Sequence, residues 1–106
     1  MFTINAALLD ACVLAVLKKA DTYGYELTQK VKAVIDVSES TLYPVLRRLQ
    51  KDKLLSAYDE EVNGRNRRYY KITKAGLKQF DVYTEVWQQY KNNIDSIFTG
   101  GTNDKK

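Results

Sequence analysis

Asn63-Gly64 lies between two runs of strand-forming residues, LLSAYDEEV (54–62) and RRYYKIT (67–73). Both turn residues tolerate positive φ, and this dipeptide between two such runs is a strong hairpin signal. Aromatic and β-branched residues mark the second run as a strand. The rest of the chain reads as helices. A single hairpin set after three helices and before a fourth is the tightest constraint on the fold.

The helices follow from apolar spacing. Residues 4–19, INAALLDACVLAVLKK, form a first helix that is apolar on nearly every side, broken only by Asn5 and Asp10. Such a helix must be covered on more than one face, which a domain of this size can barely do alone. Lys18 and Lys19 suit its negative C-terminal end. In the second helix, Leu27, Val31 and Val34 make one stripe, with Asp21 or Thr22 as the cap. Ser38 or Ser40 caps the third helix, whose core stripe is Leu42, Val45, Leu46 and Leu49. Thr73 caps the last, KAGLKQFDVYTEVWQQYKNNIDSIF. There Phe80, Tyr83, Trp87, Tyr90, Ile94 and Ile97 alternate steps of three and four, the a/d seam of a coiled coil.

Three helices followed by a hairpin spell a winged helix-turn-helix, and the expected fold is mainly α with a small β-hairpin. Residues 1–72 form the winged domain, 73–98 a C-terminal dimerisation helix, and 99–106 a polar, disordered tail. The chain has little left to pack against so long an aromatic seam. Phe80, Tyr83, Trp87, Tyr90, Ile94 and Ile97 are therefore expected in a homodimer interface, with Leu8 and Cys12 of the over-apolar first helix.

Composition narrows the chemistry. The 106 residues hold one cysteine and no histidine. That excludes a disulfide within the chain, a Cys/His zinc site and a histidine-based triad. The acids form no cluster, so no metal, no cofactor and no enzymatic activity are expected. The longest apolar stretch, ACVLAVL, has seven residues, against roughly 20 for a membrane span. No basic segment precedes it, which argues against a signal peptide. The expected location is the cytoplasm.

The net charge is +4, and all five arginines fall within residues 47–68. The guanidinium fork suits phosphates and guanine edges, and the arginines sit on the two elements of a winged helix that touch double-stranded DNA. The third helix enters the major groove and the wing reaches the flanking backbone. On a helical wheel, Ser40, Pro44, Arg47 and Lys51 lie opposite the leucine stripe, flanked by Thr41, Tyr43 and Arg48. These residues, with Asn63, Gly64, Arg65 and Arg67 of the wing, are the candidate DNA contacts. Pro44 breaks a rule, because proline inside a helix removes a donor. Its lost bond would go to the Ser40 carbonyl, which is near the helix start and can be satisfied by water.

Three stretches, YGYEL, STLYPVLRRLQKDKLL and GRNRRYYKITKAG, in this order over residues 8–80, resemble the PadR family of transcriptional regulators. The resemblance implies a dimeric winged-helix repressor whose last and first helices build the dimer. Thr41, Tyr43 and Pro44 match the start of the family's recognition helix, Arg47 continues it, and Gly64, Arg65 and Arg67 match the wing. Tyr25 falls in the GYEL block, where packing between helices is the favoured role and a phosphate contact the alternative. Lys53 departs from the pattern, standing where the family usually has the glycine that ends the third helix. With one helix after the wing, the chain resembles the short subgroup.

Some short members look like multidrug sensors that sandwich a planar compound between paired tryptophans. Trp87 matches that position, and Asp10 could favour a cationic ligand in the same space. The alternative is that Trp87 is interface core and Asp10 is solvated or salt-bridged. The expected function is sequence-specific DNA-binding regulation, most simply repression relieved by a planar hydrophobic or cationic ligand. The competing reading is a winged-helix protein-interaction module that never binds DNA.

Overall fold

A computed structural model describes residues 6–100. Residues 4 and 5 of the expected first helix, and all but the first two residues of the expected tail, lie outside the described residues. The element order is α1 (Ala6–Lys19), β1 (Thr22–Tyr23), α2 (Gly24–Lys32), α3 (Glu39–Lys51), β2 (Leu55–Val62), β3 (Arg65–Ile72) and α4 (Lys74–Phe98). This is the mainly helical, winged architecture expected from the order of elements.

The core lies where α1, α2 and α3 meet the sheet. Leu9, Val13, Leu14 and Leu17 come from α1, Leu27 and Val31 from α2, and Leu42, Val45, Leu46 and Leu49 from α3. Leu55 and Tyr70 close it from the sheet. Burying each such aliphatic side chain contributes about 1.5–3 kcal/mol. The α3 leucine stripe thus fixes which face of that helix remains outside.

The hairpin forms as its turn dictates. Asn63 and Gly64 take φ of 53° and 78°, both left-handed, which is the requirement of a type I′ turn. β2 and β3 then pair antiparallel from Leu55↔Ile72 to Val62↔Arg65. The sheet has one strand more than the sequence suggests. Thr22 and Tyr23 pair with Tyr70 and Tyr69, giving the order β1-β3-β2. Two residues carry no readable period, so this strand has no sequence signal. It also corrects the cap of α2: the residue at that position is Tyr23, with no side-chain cap bond.

Val34 is a second correction. Helix α2 ends at Lys32, and the amides of Val34 and Ile35 both fold back onto the Val31 carbonyl. Val34 then lies outside the stripe and is 83% exposed.

The last two helices are tied at their junction. Ser38 caps α3, its hydroxyl accepting from the Thr41 amide. At the other end Lys53 adopts φ 65°. The Leu54 amide then reaches back to the Leu49 carbonyl at 2.9 Å and the Lys53 amide to the Gln50 carbonyl at 3.0 Å, a Schellman closure. Thr73, the cap of α4, donates its hydroxyl to the Lys53 carbonyl at 2.8 Å and accepts the Gly76 amide at 3.0 Å. Its own amide bonds the Leu54 carbonyl at 3.1 Å. Gly76 has to be glycine, because a Cβ there would run into the Leu54 carbonyl.

Candidate nucleic-acid interface and α1–α4 groove

The outward face of α3 carries Ser40, Thr41, Tyr43, Pro44, Arg47 and Lys51, all exposed. The helix runs through Pro44 without interruption to Lys51. Its first turn is held from behind. Glu39 accepts from Gln29 at 3.0 Å and pairs with Lys32 at 3.4 Å, which ties the start of α3 to α2.

The five arginines do not share one role. Arg48 turns to α1, where its terminal nitrogens grip both oxygens of Asp10 at 3.1 and 2.5 Å. Arg67 lies two residues into β3, not at the wing tip, with its guanidinium stacked 4.4 Å from the centre of the Tyr23 ring. Arg68 pairs across the hairpin with Asp59 at 3.5 Å. Arg47 on α3 and Arg65 beside the turn make no ion pair among the described residues. Arg67 has no acidic partner either, but its guanidinium is held against a ring, which leaves Arg47 and Arg65 with neither an ion pair nor a ring contact among the described residues. Of the candidate DNA contacts, Arg48 and Arg67 are thus already engaged within the protein, through pairings that link elements far apart in sequence.

The sheet face that carries Arg67 is aromatic. Tyr58 stacks on Tyr69 with ring centres 5.5 Å apart, and Tyr23 meets Tyr69 at 5.8 Å. The Tyr58 hydroxyl donates to Asp21 at 2.8 Å. That bond favours the neutral phenol and pushes its pKa up to about 12. Sequence reading missed this ladder because β1, which supplies Tyr23, was not foreseen. Tyr25, expected between helices, is instead 59% exposed.

Asp10 is not the lone acid expected. It is buried, and besides Arg48 it accepts the Tyr83 hydroxyl at 3.1 Å. The hydrogen bond to Asp10 raises the Arg48 pKa further, and burial, helped by the Asp10 charge, raises that of Tyr83. With its charge matched by Arg48, Asp10 offers little to a cationic ligand. Both groups are legible as types, but nothing in the sequence says that they meet across 38 residues.

The aromatic seam of α4 divides in two. Phe80 and Tyr83 are partly buried against the protomer's own core, with Lys18 over the Phe80 ring at 5.2 Å. Part of each ring is thus covered by the chain's own helices, and part stays accessible. Cys12 also packs against that core, and burial pushes its thiol pKa up. Beyond Tyr83 the seam emerges, with Trp87 and Tyr90 exposed, Ile94 half-buried and Ile97 exposed. Where it emerges, α1 and α4 frame an open groove of about 190 Å³, lined by Ala7, Leu8, Ala11, Tyr83, Val86, Trp87 and Tyr90. The expected ligand residue Trp87 is in it and Asp10 is not. No helix among the described residues is long and apolar enough to cross a membrane.

Residues 13–82 match the model of the transcriptional regulator PadR-like family. An uncharacterised protein, X, of Lysinibacillus sphaericus is 33% identical over 97 residues, covering 87% of this chain and 89% of its own. Among solved structures, smu.1704 of Streptococcus mutans is 38% identical and superposes over 98% of both chains with a TM-score of 0.89. A PadR-like transcriptional regulator of Bacillus cereus is 32% identical, with a TM-score of 0.79 over 86% of this chain and 91% of its own.

Proposed function

Because the chain belongs to the PadR-like transcriptional regulator family, we propose that it is a sequence-specific DNA-binding regulator acting as a homodimer. Helix α3 lies in the major groove and the wing turn rests on the flanking backbone. The observation that carries this reading is the outer face of α3. It has small and flat side chains at Ser40, Thr41 and Pro44, then unpaired cations at Arg47 and Lys51. The short residues allow close approach to base edges, and the cations meet phosphate or guanine. Arg65 supplies the wing contact.

The exposed half of the α4 seam is the dimerisation surface, with Leu8 of α1 beside it. A groove of 190 Å³ in one protomer is below the usual range of about 300–1,000 Å³ for small-molecule pockets. Two copies facing each other complete a site of that size, walled by both Trp87 rings. We assign this site to a planar hydrophobic ligand that relieves repression. Its selection comes from stacking on Trp87 and Tyr90, since Arg48 answers the charge of Asp10.

The test is a titration of a duplex from the gene's own upstream region at several salt concentrations. Arg47→Ala and Arg65→Ala should each flatten the slope of log affinity against log salt by about 0.9. Arg68→Ala, removing a charge already paired with Asp59, should flatten it less. Equal slopes for all four proteins would remove α3 and the wing from the interface. The absence of any salt-dependent binding would favour the protein-interaction module.

A further inference from the structure

Asp10 is the one buried charged side chain among the described residues. Its oxygens are filled from two other helices, by Arg48 of α3 and by Tyr83 of α4. The Oδ2 atom accepts from both, at 3.1 Å each. Helices α1 and α4 are also the two walls of the groove. Tyr83 therefore belongs to both features: its ring lines the groove and its hydroxyl ends on Asp10.

This arrangement has a mechanical consequence. A buried carboxylate cannot cheaply give up a donor, because desolvation leaves it uncompensated. Anything that pushes α4 away from α1 must either break the Tyr83 bond or drag Asp10 with it. Asp10 holds the Arg48 fork at two points, and a bidentate pair transmits orientation as well as position. Arg48 lies next to Arg47 on the helix assigned to DNA. The path from groove to α3 is then two hydrogen-bonded contacts long.

We propose that Tyr83 and Asp10 are positioning residues that couple the filling of the α1–α4 groove to the pose of α3 on DNA, through Arg48. The proposal rests on the DNA-binding reading above. It goes beyond that reading by naming the residues that carry the signal, and it makes Arg48 a control point in place of a phosphate contact.

The test is a double-mutant cycle in which the groove is filled by the protein itself. Ala7 is exposed on the groove wall, so Ala7→Phe places a ring in that space. Tyr83→Phe keeps the ring of residue 83 and removes only the hydroxyl. Duplex affinity is measured by fluorescence anisotropy for the wild type, both single variants and the double variant, with dimer content followed by sedimentation. Ala7→Phe should weaken binding about fivefold or more in the wild-type background. In the Tyr83→Phe background it should weaken binding no more than about twofold. Asp10→Asn should abolish the coupling in the same way. If that variant fails to fold, the Tyr83→Phe cycle decides alone. Equal losses in both backgrounds, no loss in either, or losses that only follow dimer dissociation would make the node a static tie and overturn the proposal. A wild-type protein with no salt-dependent duplex binding would overturn the DNA-binding reading and the proposal together. That outcome is recognisable before any variant is made.

Discussion

Lys53 holds a φ of 65° at the end of α3, a region that L-residues enter at a cost of about 1–2 kcal/mol. The Schellman closure needs that conformation, and the Leu54 and Lys53 amides use it. Lys53→Gly should therefore raise stability by about 1 kcal/mol, measured by urea denaturation with an unchanged m-value. An unchanged midpoint would mean that the lysine stem recovers the strain through packing. Tyr58 gives a prediction of a different kind. Its folded pKa lies above the ordinary value of 10, at about 12, so the neutral phenol is the form that the fold favours. The associated stabilisation is complete below about pH 10 and lost as pH rises through about 12. The difference in Tm between wild type and Tyr58→Phe should be constant at neutral pH and shrink across that window. A difference that persists above it would locate the effect in ring stacking on Tyr69.

At the scale of elements, α3 and its proline form the sharpest case. Pro44 sits on an exposed face of an unbroken helix, where alanine would be more favourable by up to about 3 kcal/mol. Pro44→Ala should raise the Tm and weaken duplex binding, because the rigid, donor-free surface is replaced by a more mobile one. A rise in stability with unchanged affinity would remove Pro44 from the recognition face. Elements of this kind were legible in the sequence wherever a period ran long enough. The span of α4 and its Thr73 cap match the expectation, and the left-handed Asn63-Gly64 turn fixed the register of the hairpin. What was not legible lay in short or distant pairings. Strand β1 is two residues long, so no alternation exists to read. Arg48 reads as an outward cation until Asp10, 38 residues earlier, is found beside it. Phe80 and Tyr83 share the spacing of Trp87 and Tyr90, and spacing alone cannot say where a helix leaves its own core.

At the scale of the molecule, shape argues for a second copy. The radius of gyration is 16.6 Å and the extents are 64 × 29 × 20 Å, against about 13 Å expected for a compact domain of this length. The elongation accompanies a 25-residue α4, about 37 Å long at the usual rise. Its far half exposes Val86, Trp87, Tyr90, Ile97 and Phe98. A row of that kind on a lone protomer is an interaction surface. In the proposed dimer, Trp87 emission should shift to the red on dilution as the interface opens. Tyr90→Ala should move the midpoint to about tenfold higher protein concentration. Emission independent of concentration would place the dimer elsewhere or exclude it.

The junction between α3 and α4 has a consequence for the DNA as well. Thr73, Lys53 and Leu54 join the end of α3 to the start of α4 through two hydrogen bonds, and Gly76 leaves no slack between them. In a dimer built on α4, the gap between the two reading helices is then a fixed length, like the jaw of a set caliper. Such a protein measures its operator as well as reading it. Half-sites moved apart by a few base pairs are rotated around the duplex as well as displaced, since one turn takes about 10 base pairs. A protein with so short and tied a junction has no hinge with which to follow them.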